Sequence, residues 1–480
     1  MIVALRNLLR NSVVYGLANS IQKLVPVFIL PIITTHLGKT ALKLYDLSFI
    51  YVYLFSALIL CGLDVSASTF FFDRKKQKFD QKQVLSYAFV LQLALIALNF
   101  LVFYPFRTVI ASFIFSGDTS IEHFWLLAMT IVPGYMMLNY GLSVLLWLDR
   151  KKPYFIVCIL NTVLNLAIAI IAIKFYRGSI KDIFFAQIGS ITLCGLLAMY
   201  FIRDRLSFGT GSINTALVSR LLWFGLPFAL TAFFRQLIPS VDRYFLLHYH
   251  YNEELPQYIL AVKIASFFSV ATNAFILVFT PYSLNKLNHD DAEKEISDLF
   301  HFISILTFIC VPLVLLFKDD LVRIFADSSY HLSARLLPFL LFGWVFDLFA
   351  YFSMLGIYKS QNSTTILTIL VCGTAIISGL NVLLVPLYGV FGAAISFAVT
   401  KFLIFFISLF YLKRYFRIDI RYISFFVIFF VVAAYSYLAF ILSLYAYLFC
   451  LALLFILVAL YIRRNFKGQG LWQLFQIKAA

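Results

Sequence analysis

The sequence predicts an all-α polytopic membrane protein of about 14 transmembrane helices, with two six-helix pseudo-repeated lobes and two further C-terminal helices. Three observations carry this: the composition, the spacing of the apolar runs, and a faint self-similarity between the halves. Of 480 residues, 62% are hydrophobic and 12% charged, whereas soluble domains are about 45–50% apolar and about 25% charged. So little polar surface cannot cover a globule in water, and most of the chain must be solvated by lipid. A hydrocarbon core of about 30 Å requires roughly 20 apolar residues per spanning helix.

Apolar runs bounded by charges, Pro/Gly or polar clusters define the spans in order. The first, 12–35, contains Pro26 and Pro31 and stops at Leu37-Gly38; the second covers 44–70. The basic run Arg74 to Lys82 separates it from 84–104, and spans 121–148, 154–174 and 182–202 follow. The second set is 220–247, 256–282, 297–317, 335–358, 364–385 and 390–412, and a last pair lies at 422–442 and 444–462. Grouped, these make an N-terminal lobe (1–206), a C-terminal lobe (218–413), two additional helices (421–462) and a tail (463–480). No loop is long enough for a folded domain, which argues against membrane enzymes that place catalytic carboxylates in large outer loops. The first span shows no short apolar region with a cleavage site, so no cleaved signal peptide is expected.

The net charge is +16, a value that often accompanies nucleic-acid binding. Here the basic residues fall in alternate short loops. With the N-terminus inside, inner segments carry 24 Lys and Arg and outer loops 9. By the positive-inside rule this predicts both termini on the cytoplasmic side, and no nucleic-acid partner. All six cysteines lie in apolar runs without metal-type spacing, and His248 and His250 lack a third ligand, so neither metal nor cofactor is expected.

Shifting the chain on itself by 213 residues lays the first span on the seventh. Gln22-Lys23-Leu24-Val25-Pro26 then covers Arg235-Gln236-Leu237-Ile238-Pro239, and Tyr45 meets Tyr258, Phe55 Phe268 and Ser56 Ser269. Both copies would begin inside, which makes the repeat parallel, about an axis along the membrane normal.

Ionisable residues within the spans are Lys23, Asp64, Arg235, Asp242, Arg243, Lys263, Asp347 and Lys401. Each costs about 2.5–3.5 kcal/mol at a lipid-facing helix centre, so each should face a cavity or a partner. Five are cationic and three anionic, an interior biased by two positive charges. Lys23, Arg235 and Lys401 are expected to bind an anion, with Arg243 and Lys263 nearer the outer mouth. Asp242 can pair with Arg243 or Lys263. Asp64 and Asp347 serve as counter-ions or as binding groups for a coupling cation or proton. Arg235 and Asp242, seven apart, would share one helix face, and Pro239 between them, like Pro26 and Pro31, should kink its helix and open a gap.

Several stretches resemble the Wzx-like polysaccharide-transporter branch of the multidrug/oligosaccharidyl-lipid/polysaccharide exporter superfamily. They are Leu9 to Gly16 running on to Lys23, Pro31, Thr34 and Leu37-Gly38; Gly62-Leu63-Asp64; and Phe224-Gly225-Leu226-Pro227 followed by Asp242 to Leu246. Tyr258 to Ala265 and Pro281 are similar to the next helix, although Leu255-Pro256-Gln257-Tyr258 stands where the family often has Gly-Ile-Tyr. The resemblance implies a flippase for an undecaprenyl-diphosphate-linked oligosaccharide, such as an O-antigen or capsule repeat unit, in a bacterial cytoplasmic (inner) membrane. Its partners would be that lipid-linked substrate, membrane lipids, a coupling cation and polysaccharide-assembly proteins such as a polymerase. Rival readings are an exporter of small cationic molecules, a lipid II flippase, and a polysaccharide polymerase or acyltransferase.

Overall fold

A computed structural model of the chain describes residues 28–60, 62–72, 80–114, 122–176, 178–207, 214–286, 292–359 and 363–415. The last two expected spans, the tail, and Lys23 and Pro26 lie outside these residues. Every regular element among them is helical. A helical stretch from Phe28 leads into a π-helical turn, Ile33–Leu37, directly after Pro31. The widened turn is where the expected kink falls. The Thr35 hydroxyl donates to the Pro31 carbonyl (2.5 Å).

Gly38, at φ 80°, then permits the sharp break into α1 (Gly38–Ile59). The second span therefore starts six residues earlier than its apolar run suggests, and a second positive-φ glycine, Gly62, divides α1 from α2 (Leu63–Phe72). The rest of the first half comprises α3 (Gln81–Phe103), the short α4 (Arg107–Ile114), α5 (Glu122–Met129), α6 (Ile131–Trp147), α7 (Lys151–Tyr176) and α8 (Ile180–Ile202). Thr130 interrupts the expected fourth span between α5 and α6, and Ser179 with Asp182 forms a capping box at the start of α8.

The second half runs α9 (Thr215–Leu237), α10 (Val241–His248), α11 (Leu255–Lys286), α12 (Ala292–Leu316), α13 (Lys318–Phe325), α14 (His331–Lys359), α15 (Ser363–Tyr388) and α16 (Val390–Tyr415). Helix boundaries recur at the 213-residue offset. Shifted so, α7 falls on 364–389 beside the observed Ser363–Tyr388, and α8 on 393–415 beside Val390–Tyr415. Short α4, shifted to 320–327, likewise overlaps short α13.

Ten helical segments among the described residues are long and apolar enough to cross a membrane. In the first half α6 packs along α8, and α8 against α7; in the second, α14 packs along α16 and α11, and α15 against α16. Lipid tails are as apolar as leucine, so close approach rather than hydrophobicity holds such helices together. At the α6–α8 contact a Cβ on Gly134 would lie 2.5 Å from the Thr192 hydroxyl, and one on Gly195 2.8 Å from the Gly134 carbonyl oxygen. The halves meet where α9 touches α1, α2 and α3, and where α11 touches α1.

Candidate functional site

Pro239 cannot continue α9, and the chain turns through Ile238–Ser240 before α10 begins. Arg235 and Asp242 therefore do not share a helix face, contrary to the sequence expectation. Arg235 stays exposed on α9, while Asp242 and Arg243 enter the interior in the first turn of α10. The turn supplies a binding group of its own, because the Pro239 carbonyl accepts a 2.5 Å hydrogen bond from Arg243 Nη1.

Around Arg243 lies a buried ionic network drawn from three helices. Arg243 Nε is 3.3 Å from Asp46 Oδ2 on α1, and Nη1 is 2.9 Å from Asp242 Oδ1. Lys263 on α11 places Nζ 2.6 Å from Asp46 Oδ1. The Tyr258 hydroxyl donates to Asp242 Oδ2, and the guanidinium lies 5.4 Å from the Tyr258 ring centroid. The side chains of Asp46, Asp242 and Arg243 are 0%, 1% and 3% exposed, and that of Lys263 is 23% exposed. Two cations and two anions balance, which is the condition for keeping such groups out of water. Asp46 and Lys263 each stand eight residues beyond the first residue of their helices, about 12 Å along the axis. They meet at the end of the molecule where both helices begin. At that end the Thr34 hydroxyl also donates to the Phe325 carbonyl, and Lys39 Nζ lies 5.6 Å from the Tyr330 ring centroid. Beside the network, Gln187 on α8 donates to the Tyr45 hydroxyl at 2.6 Å.

Asp46 was absent from the expected site. An apolar run that begins at residue 44 puts Asp46 at a helix boundary. Leu37-Gly38 was the signal for the true start, and the pairing of Tyr45 with Tyr258 in the repeat was another, since both tyrosines are buried. With Asp46 included, the intramembrane surplus falls from two positive charges to one. Arg243 and Lys263, expected as substrate-binding cations, are instead satisfied by carboxylates, and Asp242 takes Arg243 as its partner.

A second pair joins α14 and α16. Lys401 Nζ is 2.5 Å from Asp347 Oδ1, with side chains 9% and 45% exposed. The same ammonium lies 5.7 Å from the ring centroids of Trp344 and Phe397. Lys401 is thus neutralised too, while its carboxylate keeps an open side. Arg235 on α9 and Asp64 at the start of α2 have no ion-pair partner among the described residues. Both are exposed side chains within expected spans. Their helices pack against each other, for Gly62 faces the Gly225 carbonyl and Ala229 of α9.

No family profile and no curated protein sequence matches the chain. Among solved structures it is similar to a multidrug resistance MATE family transporter of the MOP superfamily in its inward-facing conformation. The TM-score is 0.70 at 16% identity, over 84% of this chain and 94% of the other. Against an outward-facing conformation of such a transporter the TM-score is 0.64 at 16% identity, over 85% and 94%. A third similar structure is a MOP superfamily transporter from Pyrococcus furiosus, described as having a binding pocket of reverse polarity that suggests a different function. There the TM-score is 0.59 at 15% identity, over 85% and 94%. This chain therefore has the all-helical, multi-pass fold of the MATE transporters of the MOP superfamily.

Proposed function

We propose that the protein is a transporter working by alternating access between two six-helix lobes, and that its cargo is an undecaprenyl-diphosphate-linked oligosaccharide such as an O-antigen or capsule repeat unit. The observation that carries this reading is Arg235, an exposed guanidinium within a span that no carboxylate among the described residues neutralises. A cation held at membrane depth without a protein partner is a ready site for an anionic head group. Lys23, the neighbour of Gln22, which aligns with Arg235 in the repeat, would be the second ligand. The lipid tail remains in the bilayer and only the polar head group passes between the lobes, so no bond chemistry is required. The family resemblance implies a bacterial cytoplasmic membrane, and the loop charges support both termini inside.

Asp64 favours a second reading, an exporter of small organic cations, because an exposed carboxylate without an ionic partner among the described residues is what such cargo would seek. Proteoliposomes containing the purified chain separate the two. Movement of a labelled undecaprenyl-diphosphate oligosaccharide above empty-vesicle rates, abolished in Arg235→Ala and retained in Asp64→Asn, supports the flippase. Uptake of organic cations that depends on Asp64 and ignores Arg235 replaces it.

A further inference from the structure

We propose that Asp46 is a built-in substitute for phosphate: its carboxylate occupies a two-cation anion site made by Arg243 and Lys263, and a diphosphate that displaces it releases α1 from α10 and α11. This rests on the cargo reading above and extends it to a second station, distinct from Arg235.

The geometry is that of a bridging oxyanion. The two carboxylate oxygens go to different cations, Oδ1 to Lys263 at 2.6 Å and Oδ2 to Arg243 at 3.3 Å, as two oxygens of one phosphate would. Arg243 is held in place without Asp46. Arg243 keeps Asp242 at 2.9 Å, the Pro239 carbonyl at 2.5 Å and the Tyr258 ring. Lys263 is 23% exposed while Asp46 is 0% exposed, so an incoming anion meets the ammonium first and the carboxylate leaves last.

The consequence for the fold is specific. Asp242 is one residue from Arg243 and Lys401 pairs with Asp347 inside the second half, but Asp46 belongs to the first half and both its partners to the second. Its two ion pairs therefore fasten the halves together at the end where α1 and α11 begin. Withdrawing Asp46 alone would leave Lys263 with no counter-charge, a cost that a bound anion removes. Exchange of carboxylate for diphosphate thus couples cargo to separation of the helices, because the ligand binds one arrangement and not the other.

The test uses the full-length protein in detergent, with inorganic pyrophosphate as probe and a short isoprenyl diphosphate in a parallel arm. Asp46→Asn should bind pyrophosphate at least about tenfold more tightly than the wild type and gain thermal stability from it. Asp46→Asn combined with Lys263→Gln should lose that gain. Equal affinity of wild type and Asp46→Asn for both probes, or a gain that survives Lys263→Gln, overturns the proposal. A response to both probes assigns recognition to the phosphate groups alone; a response confined to the isoprenyl diphosphate assigns it to a lipid head group. The second measurement does not depend on the folding of Asp46→Asn. In an otherwise wild-type chain with its native cysteines replaced, spin labels at Thr40→Cys and Asn252→Cys should move apart when the diphosphate is added. An unchanged distance distribution overturns the proposal. Failure of the cargo reading registers separately, as an absence of lipid-linked-sugar movement by the wild type in proteoliposomes.

Discussion

Replacing Arg243 by Met tests the ionic network where it is most tightly built. The substitution keeps much of the side-chain volume and removes the charge that touches Asp46, Asp242 and the Pro239 carbonyl. Asp46 retains Lys263, but Asp242 is left as a buried anion with only the Tyr258 hydroxyl and the Arg243 backbone N–H beside it. Breaking one side of a buried pair costs about 3–5 kcal/mol, most of it from the stranded charge. Lys263→Met should cost less, about 1–3 kcal/mol, since Lys263 is 23% exposed and Asp46 keeps Arg243. Adding Asp242→Asn to Arg243→Met should recover part of the loss, because the remaining Asp46–Lys263 pair is neutral and no charge is stranded. The assay is the temperature at which half the protein is lost from the monodisperse peak after heating in detergent. A loss in Arg243→Met no larger than that in Lys263→Met, or a deeper loss on adding Asp242→Asn, would refute the reasoning.

Other outcomes follow from the same structure. Gly134→Ala would press a Cβ into Thr192, 2.5 Å from its hydroxyl and 2.9 Å from its Cα, and should cost about 1–3 kcal/mol by forcing α6 from α8. Gly189→Ala meets nothing within 4 Å, so the better helix former should leave stability unchanged or raise it by up to about 1 kcal/mol in the same heating assay. Arg150 grips Asp204 through both terminal nitrogens, at 2.9 and 2.5 Å, and the Phe201 carbonyl at 2.5 Å. Lysine cannot reproduce that fork, so Arg150→Lys should increase proteolysis near residues 203–207 while Lys151→Arg does not.

Several features were legible in the sequence because they depend on solvent and on local backbone chemistry. A chain that is 62% hydrophobic must sit in lipid, and in lipid each backbone polar group must be bonded within its own helix; that determined the fold class and the order of spans. Pro31 and Pro239 announced where helices would distort, since a missing N–H disrupts the ladder wherever the helix packs. The recurrence of helix lengths at a 213-residue offset was faintly visible in Tyr45 and Tyr258. Of the charge pairs only Asp242 with its neighbour Arg243 was legible; the others were not, because their members come from distant segments. Asp46 and Arg243 are 197 residues apart, and Lys401 and Asp347 are 54 apart. Counting charges within spans shows that cations outnumber anions but does not say which of them meet. Only the packing of α1 against α10 and α11, and of α14 against α16, decided which were already satisfied. Among the described residues it left Arg235 and Asp64 without an ionic partner, because α9 and α2 bring them to open positions on which no opposite charge converges.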